Sequence, residues 1–144
     1  MKFNHLKGYE SVTLPTETID GKRYYTTPEG KHYPSVTSVT GLMNRKGIEA
    51  WRKWVGEEQA NKISSQAANR GTRYHYMMED FINNIDIDER LAKATPLDQM
   101  MFNQTREITE KLGDIYMLEG SLYSDELMMA GRVDCIADFA GKIS

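Results

Sequence analysis

Gly131-Arg132-Val133-Asp134-Cys135-Ile136-Ala137-Asp138-Phe139-Ala140-Gly141-Lys142 carries the clearest period in the chain. Val133, Cys135, Ala137 and Phe139 alternate with Arg132, Asp134, Ile136 and Asp138, the two-residue repeat of a strand with one apolar face. So regular a face sets the register, and Asp134 points to the opposite side with Arg132 and Asp138. Ala140-Gly141 predicts a tight turn, and Lys142-Ile143-Ser144 the start of a returning strand. Upstream, Tyr116, Leu118 and Leu122 alternate with Met117, Glu119 and Ser121, which predicts a strand before the hairpin.

Before these strands the period becomes helical. Thr95-Pro96-x-Asp98 is a helix start, with threonine as N-cap, proline at the first helical position and an acid two residues on. The helix is expected to reach Leu112, show Leu97, Met101, Ile108 and Leu112 on its apolar face, and close at Gly113. Another helix is predicted over Thr72 to Asn83. Its stripe is Tyr74, Met78, Phe81 and Ile85, with Tyr76, Asp80 and Asn83 opposite, and His75 and Glu79 together at the stripe's edge. Two more precede it: Glu57 to about Ala68, ending at the Arg70-Gly71 step, and a stretch from Ile48 bounded by Gly47 and Gly56. Ser35 caps a short helix to about Met43. At the start, Asp20-Gly21 and Pro28-Glu29-Gly30 are turn signals around short strands at Lys22 to Thr27 and Lys31 to Tyr33. The order predicts an α/β chain, one domain over 1–144 with a hairpin-rich region at 1–34.

Composition sets bounds. With 144 residues and 40% hydrophobic content, the chain suits one compact core. The lone Cys135 excludes an internal disulfide, and no apolar run has the length of a signal or membrane segment, so the expected setting is intracellular. Net charge is −3, which excludes a globally basic nucleic-acid binder. The charge is uneven, however: Gly41 to His75 has seven basic residues against three acids, and Tyr76 onward has six against fourteen. That asymmetry suits one region meeting phosphates and another holding cations, and also suits ordinary solvated helix faces. Arg52, Lys53, Arg70 and Arg73 with Trp54 and Tyr76 are the candidates for gripping and stacking a single strand, whereas Trp51 and Tyr74 fall on core stripes. The adjacent pairs Met77-Met78, Met100-Met101 and Met128-Met129 read as core filling.

A carboxylate on one strand of a hairpin, followed by a carboxylate and a lysine on the return, is how a sheet holds a divalent cation beside a phosphate. Gly71-Thr72-x-x-His75-x-x-x-Glu79 and Gly131-Arg132-Val133-Asp134 resemble the first two parts of such a site in the PD-(D/E)xK nuclease superfamily, RecB-like branch. Pro34-Ser35-Val36-Thr37-Ser38-Val39, Gly71-Thr72-Arg73-Tyr74-His75 and Leu118-Glu119, with the stretch from Gly131 to Lys142, are similar to the mitochondrial genome maintenance exonucleases and their phage relatives.

The resemblance implies a restriction-endonuclease-like fold, helices on a mixed sheet, and a Mg²⁺- or Mn²⁺-dependent DNA exonuclease preferring single-stranded ends. His75 and Asp134 would be metal ligands, Asp134 and Glu79 catalytic acids and Glu119 an outer supporting group. Imidazole among oxygen ligands leaves Mn²⁺ as plausible as Mg²⁺. The family's next strand carries Asp-x-Lys, which this sequence does not reach, so the chain is expected to be the N-terminal part of such an enzyme and inactive alone. The alternatives are a non-catalytic nucleic-acid- or partner-binding module, and one half of a split nuclease completed by a second polypeptide. Its setting would be the cytoplasm of a bacterial or phage-infected host, or the mitochondrial matrix in a eukaryote.

Overall fold

The computed structural model describes residues 2–9 and 12–143. Three short strands, β1 (Thr16–Ile19), β2 (Lys22–Thr26) and β3 (His32–Pro34), are followed by the helices α1 (Val36–Val55), α2 (Glu57–Ile82), α3 (Asp88–Lys93) and α4 (Pro96–Thr109), then by β4 (Leu112–Ser124), β5 (Met129–Phe139) and β6 (Lys142–Ile143). The chain is thus α/β. Its strands form two three-stranded sheets, β1-β2-β3 and β4-β5-β6. Chain neighbours pair antiparallel, as in Thr16 with Tyr25 and Asp138 with Ile143. Parallel pairing is confined, among the described residues, to the isolated bridges His5–Ile115 and Ser35–Ala130, so the expected mixed sheet gives way to antiparallel ones. The short loops between consecutive strands of each sheet allow nothing else, since a parallel crossover needs a dozen residues or so.

Two compact units divide the chain: Met1–Leu6, Val55–Ile115 and Ala137–Ser144 in one, Lys7–Trp54 and Tyr116–Ile136 in the other. The first is built on α2 and α4. Met77, Ile87 and Phe102 form its buried core, with Met78, Phe81 and Leu91 against it. Phe81 meets Phe3 and Phe102 edge to face at 5.2 and 5.5 Å between centroids, a favoured aromatic geometry. The N-terminal segment is tied in by the Phe3 amide donating to Asn84 Oδ1 (2.6 Å) and the Leu6 amide donating to the Ile115 carbonyl (2.8 Å). In the second unit Leu14, Tyr25, Tyr33 and Ala130 make the core.

Both predicted tight turns are present. Asp20-Gly21 has φ of 52° and 76°, and Ala140-Gly141 has 51° and 80°, the paired left-handed residues that match strand twist in two-residue hairpins. Thr95 caps α4 as expected, accepting from the Asp98 amide, with Pro96 in the first turn. Ser35 Oγ likewise accepts from the Ser38 amide at 3.1 Å and opens α1.

The helices depart from expectation in three ways. Helix α1 continues past Met43 and through Gly47 to Val55, and α2 runs through Gly71 for 26 residues. An interior glycine costs about 1 kcal/mol, too little to stop a long helix; Gly56, at φ 88°, does stop one. Helix α4 ends at Thr109 and Leu112 already belongs to β4. Its buried face is Asp98 and Phe102, while Leu97 and Ile108 are exposed. Ile85 is exposed as well, lying beyond the end of α2. Of the methionine pairs, Met77-Met78 packs in the core, whereas Met100 and Met128 are exposed.

Candidate functional site

Asp134 stands on β5 where alternation places it: Arg132 and Asp134 are exposed, Val133 and Cys135 half-buried and Ala137 buried, and the pattern fails at Phe139, which is exposed. Across the hairpin, Glu119 sits in the middle of β4 with φ 54°. A non-glycine residue in the left-handed region costs on the order of 1–2 kcal/mol and redirects the strand as a bulge does. From Tyr116 to Glu119 every residue is half-buried and Gly120 is buried, so the expected alternation on β4 is lost at this kink. A carboxylate oxygen of Glu119 and one of Asp134 lie within 4.8 Å of one another. Such oxygen pairs suit a hard divalent cation.

Arg132 is bound into the same place. Its Nε–H donates to the Glu119 carbonyl oxygen at 3.2 Å, and Nε lies 2.9 Å from Glu119 Oε2 in an ion pair. The Glu119 side chain is 12% exposed and that of Arg132 57%, so the carboxylate is the embedded partner. Sequence reasoning placed Glu119 in an outer role, yet its carboxylate neighbours Asp134 directly. The signal available was Gly120 after it, since a glycine inside a strand pattern marks a bulge. Next to Asp134, burial pushes the Cys135 thiol up and the Asp134 charge adds to this, which lowers its thiolate fraction at neutral pH.

The hairpin tip is held separately. The Tyr33 hydroxyl donates to Asp125 Oδ1, and Lys31 Nζ lies 3.5 Å from the same oxygen. The tyrosine bond, with Lys31 assisting, holds the Asp125 carboxyl below its ordinary value. Nearby, a cleft of about 530 Å³ is lined by Arg23, Ser35, Thr37, Leu122, Gly131 and Arg132 among others.

In the other unit, His75 and Glu79 lie one turn apart on α2, both half-buried, which places them on one helix face. The His75 ring meets that of Tyr76 edge-on, with centroids 6.3 Å apart. Arg73 Nε donates to Asp98 Oδ2 at 2.8 Å, and Asp98 is 3% exposed. This bond, outweighing the burial that opposes it, holds the Asp98 carboxyl below the usual carboxylate range. Arg73 is therefore committed to α4 although it is exposed. Tyr74 donates from its hydroxyl to Thr105 Oγ1 at 2.7 Å, in keeping with a packing role. Tyr76 is 59% and Trp54 85% exposed, and both lie outside the core as their positions predicted. Arg70 and Arg52 are half-buried and Lys53 is exposed.

The structure thus defines an α/β chain with an acidic pair on a hairpin, one member of it on a strained residue. No protein-family model matches the sequence. It is similar to mitochondrial genome maintenance exonuclease 1 of Homo sapiens, at 23% identity over 122 residues, which cover 76% of this chain and 34% of that protein. The chain therefore spans about a third of the length of the curated relative it matches. The similarity supports a nuclease relationship. Among the described residues no helix is long and apolar enough to cross a membrane.

Proposed function

We propose that this chain is part of a metal-dependent DNA exonuclease of the PD-(D/E)xK type, acting on single-stranded ends. The observation that carries the reading is the Glu119–Asp134 carboxylate pair on adjacent strands, at the position where the resemblance assigns a metal ligand. Asp134 and Glu119 would hold Mg²⁺ or Mn²⁺; the resemblance makes His75 a ligand too, an imidazole that leaves Mn²⁺ as plausible as Mg²⁺. A divalent cation bound there supplies charge compensation at a phosphodiester and a lowered pKa for attacking water. Glu79, one helical turn from His75, would orient the imidazole or a water beside it. Arg52, Lys53 and Arg70 would grip phosphates, Arg73 being held by Asp98, and Trp54 and Tyr76 would stack bases. We infer that the chain by itself binds cation and DNA and does not degrade DNA.

Calorimetric titration of the purified chain with Mn²⁺ tests the core of this reading. One site, lost in Asp134→Ala and weakened in His75→Ala, is expected, with no digestion of labelled single-stranded DNA. Absence of saturable binding overturns the metal reading. Metal-dependent digestion that Asp134→Ala abolishes overturns the inactivity.

A further inference from the structure

We propose that Arg132 is an exchangeable counter-ion. It neutralises Glu119 until a divalent cation takes the Glu119–Asp134 pair, and is then released to bind a nucleic-acid phosphate, so that cation and strand enter together. This deepens the metal reading above and rests on it.

Glu119 and Asp134 together carry two negative charges, which suits a divalent cation, but the guanidinium 2.9 Å from Glu119 Oε2 cancels one of them. An arginine so placed competes with the cation for the carboxylate, and a cation bound there repels the arginine. The geometry also favours movement by Arg132 rather than Glu119. The Glu119 side chain is embedded, 12% exposed, and rises from a strained mid-strand residue. Arg132 is more than half exposed on a regular strand, attached by a long flexible stem. Its contact with Glu119 is made through Nε–H, and a guanidinium has four further N–H donors in a fork that fits phosphate.

The freed side chain has a destination. Arg132 lines the cleft of about 530 Å³ together with Arg23. Those two arginines are the charged residues among its described lining, and no acid joins them. Ser35 and Thr37, at the start of the 20-residue helix α1, line it as well, and a helix start favours an anion. A released Arg132 thus joins Arg23 in a cleft whose remaining lining is largely apolar, and the fitting ligand is a nucleic-acid strand, its phosphate met by the two arginines and its bases by the apolar wall.

Equilibrium binding of the full chain decides this. Mn²⁺ affinity is read by calorimetry, and affinity for a fluorescent single-stranded oligothymidylate by anisotropy, with Ca²⁺ or with chelator. Arg132→Gln is expected to bind Mn²⁺ about three- to fivefold more tightly, the worth of a half-exposed ion pair, and to lose the Ca²⁺-dependent gain in oligonucleotide affinity that the unaltered chain shows. Arg23→Gln, a fixed charge of the cleft, is expected to weaken oligonucleotide binding equally with and without Ca²⁺. Equal or weaker Mn²⁺ binding by Arg132→Gln, with the Asp134-dependent site intact in the unaltered chain, overturns the counter-ion role and leaves the metal reading standing. No Mn²⁺ site in the unaltered chain overturns both. Should Arg132→Gln fail to fold, the unaltered chain suffices: linkage requires oligonucleotide to raise Mn²⁺ affinity by the factor by which Mn²⁺ raises oligonucleotide affinity, and independent binding of the two overturns the proposal.

Discussion

Asp98 shows how a single residue ties helices together. It occupies the third position of α4, its amide bonded to the Thr95 cap, and its buried carboxylate receives Arg73 of α2. Because its folded-state pKa is depressed, the unfolded chain takes up this proton more readily. The stability it contributes is complete above the unfolded carboxylate value of about 3.9 and is lost as pH falls through that value and on through the lower folded one. Asp98→Asn, which keeps the cap, is expected to lose on the order of 1–2 kcal/mol at neutral pH and to show a flatter acid limb, measured by urea unfolding from neutral to acid pH. Equal losses at both ends of that range would refute the assignment. Glu119 is the residue-scale counterpart at the candidate site. Glu119→Gly is expected to relieve the left-handed strain and hold or raise the melting temperature while removing the carboxylate that the proposed Mn²⁺ site needs, so stability and cation affinity move in opposite directions.

At the scale of elements, two glycines make opposite predictions. Gly113 on β4 faces β5 so closely that a Cβ there would lie 3.0 Å from the Asp138 Cβ. Gly113→Ala is therefore expected to destabilise the hairpin by about 1 kcal/mol or more. Gly71, inside α2, is open: a methyl group added there would meet nothing within 4 Å beyond the helix's own backbone, among the described residues. Gly71→Ala is expected to raise stability by about 0.5–1 kcal/mol, seen as a higher melting temperature. No neighbouring helix therefore requires a glycine at this position, among the described residues. If instead it leaves room for a DNA backbone, Gly71→Ala will stabilise the chain and weaken oligonucleotide binding together. Helix α1 has no buried residue, so its amides are expected to exchange with solvent well before those of α2 around Met77.

For the molecule as a whole, a net charge of −3 means that any grip on a nucleic-acid strand is local. Trp54 and Tyr76 are exposed enough that Trp54→Ala and Tyr76→Ala should leave the melting temperature unchanged. Under the proposed reading each lowers oligonucleotide affinity by about 1–3 kcal/mol, with binding that weakens as salt rises; unchanged affinity in both would remove stacking from the proposal. How much of this was legible beforehand follows from the range of the forces involved. The two-residue period of β5, its turn at Ala140-Gly141 and the Thr95 cap of α4 could be read from the sequence because each depends on residues within a few positions of one another. Helix continuity through Gly47 and Gly71 could not, because the local cost of glycine is overridden by the cooperativity of a long helix. The left-handed turn at Glu119 has no strong local preference behind it; the β4–β5 hairpin holds it. Sequence by itself determined the alternation around Asp134 on β5, where the hairpins turn and that Asp134 stands on the polar face. Only the tertiary structure decided that Glu119 meets Asp134 and Arg132, and that Arg73 is spent on Asp98 25 residues away, because charges far apart in sequence find their partners only once the backbone between them has folded.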